Sequence, residues 1–73
     1  MPNPFLIALR GYDIAQVDDL LARAEEAVAS GSASRKAQVQ QELRSVTLRT
    51  RLRGYARRQV DRAIQDLLVK LEP

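Results

Sequence analysis

The sequence predicts an all-α fold: a small three-helix up-down-up module with coiled-coil-like packing, two motif repeats in pseudo-two-fold relation, and assembly as an oligomer. Three observations predict it. The chain has 73 residues, enough for one domain with a small core, since a chain of this size buries only about 60% of the surface its unfolded form exposes. Apolar residues recur at steps of three and four along two long stretches, as in helices that pack lengthwise. Finally, Leu9-Arg10-Gly11-Tyr12 returns as Leu52-Arg53-Gly54-Tyr55, and Gln16-Val17-Asp18 returns as Gln59-Val60-Asp61, seven identities at a single offset of 43. One structural unit has been used twice. Ten of the residues behind the 45% hydrophobic share are alanine, which favours helix but adds little burial energy, so self-association or a partner is expected to complete the core.

The single domain, residues 1–73, divides into repeat one (5–30), a connecting turn and helix (31–47), and repeat two (48–71). Phe5, Leu6, Ile7 and Leu9 form an apolar arm that Pro2 and Pro4 keep extended. Gly11 and Gly54 each precede a tyrosine and are expected to turn the chain at positive φ. Asp13 then suits an N-cap, with Gln16 three residues on as a capping box requires. The second copy has Ala56 at the cap, which accepts nothing, so its helix start is expected to be about 1 kcal/mol less stable. Ile14, Val17, Leu21, Ala24 and Val28 form the seam of the first helix, widened by Leu20 and Ala27. Val60, Ile64, Leu67 and Leu71 form the seam of the third.

Between the copies, Ser30 to Ser34 reads as a compact turn, with Gly31 at a helix C′ position and Ser34 as the next N-cap. The helix that follows buries Val39, Leu43 and Val46, and an extended stretch from Ser45 to Leu52 brings the chain back. Tyr12 and Tyr55 are expected to pack over the helix starts with each hydroxyl on a polar partner. Asp18 and Asp61 fall in the first helical turns, where the helix dipole favours a carboxylate. The sequence leaves open whether each bonds the motif arginine or the tyrosine of the other repeat.

Several chemistries are excluded. With no cysteine and no histidine there are no disulfides, thiolate or imidazole metal sites, or Cys/His nucleophile pairs. The three glycines are scattered singly, which excludes a phosphate loop. The longest uninterrupted apolar run, Phe5 to Leu9, is too short to span a bilayer. The expectation is a binding protein without catalytic residues, cofactor or metal.

The segment from Phe5 through Arg10-Gly11-Tyr12-Asp13 and Gln16-Val17-Asp18 to Leu20-Leu21 resembles the N-terminal domain of DivIVA proteins, bacterial scaffolds of division septa and cell poles. The resemblance covers about 20 residues, twice. It implies a looped or extended segment feeding a parallel coiled coil, with a hydrophobic residue directly before the motif arginine presented to the membrane. Those contact roles fall on Leu9 with Arg10 and on Leu52 with Arg53, and the motif turn on Gly11, Tyr12, Gly54 and Tyr55. The resemblance further implies a cytoplasmic scaffold, peripheral at the inner membrane face, whose partners are itself (a homodimer or higher) and other division proteins.

Charge adds a second feature. Residues 1–31 carry two basic side chains against five acidic ones, whereas residues 32–73 carry ten against four. Arg44, Arg49, Arg51, Arg53, Arg57, Arg58 and Arg62 crowd into 19 residues. Such a patch fits anionic lipid headgroups, a solvated face matched to the acidic first helix, or nucleic-acid phosphates. A basic helical nucleic-acid-binding module is the alternative function. It is disfavoured because the stretch from Val46 to Ala56 is too long for a helix-turn-helix and few aromatics are present to stack on bases.

Overall fold

A computed structural model describes residues 5–72; the Pro2 and Pro4 expected to extend the N-terminal arm lie outside that range. The elements run β1 (Ile7–Tyr12), α1 (Ile14–Ser30), α2 (Ala33–Ser45), β2 (Thr50–Tyr55) and α3 (Arg57–Lys70). The expected all-α three-helix architecture is therefore corrected. Of the described residues, 65% are helical and 18% lie in strands, with a two-stranded antiparallel sheet joining the repeats. The sequence predicts extended segments from Phe5 to Leu9 and from Ser45 to Leu52; the strands Ile7–Tyr12 and Thr50–Tyr55 that overlap them are each other's hydrogen-bonding partners.

The register descends along β2 as it ascends along β1, from Ile7 with Tyr55 through Leu9 with Arg53 to Gly11 with Arg51 and Tyr12 with Thr50. Tyr12 also pairs with Tyr55, its own counterpart, in the parallel sense. Thr50 and Tyr55 are the two ends of β2, and in a straight strand five residues span roughly 16 Å. One residue cannot pair with both unless the strand bends. On β1 the bend is at Arg10, whose φ of 57° places a non-glycine residue in the left-handed region. The two strands are thus bent and interlaced rather than laid flat.

Gly11 and Gly54 make that interlacing possible, for a reason other than the expected one. Neither has positive φ. Instead, their backbones cross: a Cβ on Gly54 would lie 2.7 Å from the Gly11 carbonyl carbon and would also run into the Tyr12 carbonyl oxygen, while one on Gly11 would strike the Gly54 carbonyl group and the Tyr55 oxygen. The obstacle is main chain on both sides, which cannot rotate out of the way. Positive φ belongs to Gly31, which closes α1 at φ 69° in open space.

Helix ends follow capping chemistry. Asp13 caps α1 by accepting from the Gln16 N–H at 2.9 Å. α2 is capped by Ser32, which accepts from the Arg35 N–H at 3.3 Å, so the cap lies two residues before the expected Ser34. Ala56 gives α3 no side-chain cap. The core gathers Val17, Leu20, Leu21, Ala24 and Ala27 of α1, Val39 and Leu43 of α2, and Val60, Ile64 and Leu67 of α3, with Leu71 and Tyr55. Ala24 and Ala27 are completely buried, and such short side chains let neighbouring helices approach closely.

Gly11→Ala and Gly54→Ala should each cost about 3 kcal/mol or more, at or beyond the upper end of overpacking penalties, because the clash is with backbone. Gly31→Ala, strained in φ but sterically free, should cost about 1 kcal/mol. Urea unfolding of the three variants checks the order.

Candidate partner-binding ribbon

The interlaced ribbon is held by side chains of the opposite repeat, and the bonds come in reciprocal pairs. The Arg49 N–H donates to Gln16 Oε1 at 2.8 Å, and 43 residues away in both partners the Leu6 N–H donates to Gln59 Oε1 at 2.8 Å. The Asp13 N–H donates to the Arg49 carbonyl, as the Ala56 N–H does to that of Leu6, both at 2.8 Å. The Tyr55 hydroxyl donates to Asp18 Oδ1 at 2.7 Å, and the Tyr12 hydroxyl donates to Asp61 Oδ1 at 2.8 Å. The question the sequence left open is answered in favour of the tyrosine. Gln16 does not close a capping box onto Asp13; its amide reaches across to the other repeat, donating from Nε2 to the Thr47 carbonyl at 3.2 Å as well.

The two tyrosines sit differently. Tyr55 is fully buried, with the Phe5 ring edge-on at 5.1 Å between centroids. Tyr12 is partly exposed beside the open groove lined by Leu43, Val46, Leu48 and Ile64. Its hydroxyl pKa is raised, first by burial and then by the Asp61 carboxylate that accepts its hydrogen bond.

Asp13 is the buried acid of the site. Its carboxyl is held below the usual range, first by the Gln16 backbone N–H and next by Arg51, whose Nε lies 2.8 Å from Oδ2, with Arg49 at 3.8 Å. Arg49 and Arg51 of the basic patch are thus engaged with Asp13. Arg44, Arg53, Arg57, Arg58 and Arg62 are all exposed and form no ion pair among the described residues. The acidic first helix instead meets α2 on the surface, where Arg23 bonds Glu42 and Arg35 reaches Glu26 at 3.3 Å.

The ribbon turns both apolar and basic side chains outward. Leu9 and Leu52, the two residues before the motif arginines, are 76% and 75% exposed, and Leu6 is 66% exposed. Arg10 and Arg53 stand exposed beside them, Arg53 paired directly with Leu9. The structure therefore brings Leu9, Arg10, Leu52 and Arg53 together on one projecting ribbon, while Gly11, Tyr12, Gly54 and Tyr55 form its interior crossing. Sequence reasoning missed the roles of Gln16 and Gln59 across the repeats; their presence in both copies was the available signal. Among the described residues no helix is long and apolar enough to cross a membrane. No protein-family model, curated protein or solved structure matches the chain.

Two outcomes are expected. Tyr55→Phe should cost about 1.5–3 kcal/mol, the range for a hydrogen bond to a charged group, and Tyr12→Phe, more exposed, about 1 kcal/mol; pairing each with Asp18→Asn or Asp61→Asn in a double-mutant cycle isolates the bond. Because the folded pKa of Asp13 is depressed, its contribution is complete above the unfolded value near 3.9 and is lost as pH falls through the folded value. Urea unfolding of wild type and Asp13→Asn should therefore differ at neutral pH and converge in acid.

Proposed function

We propose that the chain is a non-enzymatic scaffold module of the cell-division and polar-growth kind, which works by binding: to other division proteins, to further copies of itself, and peripherally to the anionic inner face of the membrane from the cytoplasm. The observation that carries this reading is the pair of leucines, Leu9 and Leu52, exposed at more than 70% on one ribbon and each followed by an arginine, Arg10 or Arg53, that forms no ion pair among the described residues. Leu20 and Leu21 of α1, by contrast, are buried in the core. Burying one leucine side chain contributes about 1.5–3 kcal/mol, and each cation near an anionic surface about 1 kcal/mol. Two leucines in fixed register with Arg10 and Arg53 act together, and linked copies multiply the effect.

The bend at Arg10 supports the same reading. A left-handed φ at a residue with a Cβ costs roughly 1–2 kcal/mol, and glycine would relieve it. Keeping arginine at a strained, exposed position next to an exposed leucine accords with a role in contact, since strain persists where it serves a function.

Cosedimentation with vesicles tests the proposal. Wild type should pellet with anionic vesicles and remain in solution with zwitterionic ones, and Leu9→Asp with Leu52→Asp should abolish pelleting without lowering the melting temperature. Failure of wild type to bind anionic vesicles would sink the membrane part. Arg10→Gly should raise stability by about 0.5–1 kcal/mol, the relieved strain less the entropy glycine brings, while weakening vesicle binding.

A further inference from the structure

Three kinds of hydrogen bond recur in both directions across the repeats, whereas the ion pair at Asp13 does not. Asp13 of the first copy meets Arg51 and Arg49 of the second. At the same offset of 43, the counterpart of Asp13 is Ala56, that of Arg51 is Ala8, and that of Arg49 is Leu6. Where one side of the ribbon has an acid facing two bases, the other has alanine facing alanine and leucine. The losses match: the copy without the acid faces the copy without the bases.

We propose that Asp13 with Arg51 is a specificity element that makes the two repeats complementary and not interchangeable, so that the partner the first repeat accepts, in its own chain or on a second copy, is a repeat of the second type. Pairing two first-type repeats would set each Asp13 against Ala8 and Leu6. The carboxylate, with its side chain 11% exposed, would keep the Gln16 N–H but lose both cations, and a buried acid stripped of its counter-charge is destabilising. Pairing two second-type repeats would set Arg49 and Arg51 against Ala56 with no acid at all. Specificity is a difference between the right pairing and the wrong one, and here both wrong pairings lose the ion pair.

An independent contact points the same way. Phe5 of the first repeat packs on Tyr55 of the second, which is sealed from solvent, whereas the counterpart Leu48 belongs to the groove beside the partly exposed Tyr12. The larger ring again lies across the boundary between unlike repeats. Such unlike pairing keeps the reciprocal, pseudo-two-fold form of the contact: it closes within one chain, and any exchange between chains must run from the first repeat of one to the second repeat of another.

The full chain allows a direct test, because each like-with-like arrangement can be imitated inside it. Arg51→Ala with Ala56→Asp gives both halves the acid and removes the nearer base, leaving Asp13 only Arg49 at 3.8 Å. Ala8→Arg with Asp13→Ala gives both the base and neither the acid. All four substitutions together move the ion pair to the other side of the ribbon. At neutral pH each double variant should lower the folded-to-unfolded ratio about tenfold or more in urea unfolding, and the quadruple variant should return to within about threefold of wild type, as a transferable pair requires. Double variants as stable as wild type would overturn the proposal. So would a quadruple variant no better than the doubles, since the ion pair would then belong to its local site and not to the matching of repeats.

Discussion

Everything in this molecule depends on two main chains passing closer than side chains would permit. At Gly11 and Gly54 the backbones cross with no room for a Cβ on either, and that crossing lets each bent strand reach over the helix of the other repeat. From it follow the two tyrosine–aspartate bonds, the two glutamine–backbone bonds and the paired N–H groups at the helix starts. A two-stranded ribbon in water is marginal by itself. Here its main-chain groups near Leu6 and Arg49 are held by Gln59 and Gln16, and Tyr55 is sunk into the helical core.

The arrangement makes one chain its own partner. Two copies of a unit that each lack a complete core are held at high local concentration by α2 and the turn at Gly31, which favours their pairing within the chain. The alanine-rich α1 contributes little burial per residue, but its Ala24 and Ala27 allow tight packing. Because the motif's interior side chains are occupied by mutual recognition, the leucines and arginines on the outside of the bends remain as the surface available to something else.

Much of this was legible in the sequence, and what was not has identifiable causes. The first and third helices follow from the steps of three and four, and Gly31 from its place at the end of the first. The repeat announced that Tyr12, Tyr55, Asp18 and Asp61 act in equivalent ways, though not with whom, because spacing along one copy carries no information about the geometry of the other. The strands were missed because neither Ile7–Tyr12 nor Thr50–Tyr55 shows the alternation of a half-buried strand: each is bent, interrupted by glycine, exposed over most of its length, and paired with a segment 43 residues away. Glycine before tyrosine suggests a torsional need along the sequence but answers a steric one, a distinction that only the opposing backbone reveals. The cap at Ser32 instead of Ser34 is a choice among three serines that local chemistry barely separates.

Native-state hydrogen exchange at two amides tests the central claim most directly. The Asp13 and Ala56 N–H groups begin helices, positions that ordinarily exchange freely, yet each donates to the opposite repeat, to the carbonyls of Arg49 and Leu6. If the repeats are interlaced, both amides open only when the whole molecule unfolds and share the protection of the core of α1. Free exchange at either one, with the helices still protected, would mean that the repeats are not joined as described.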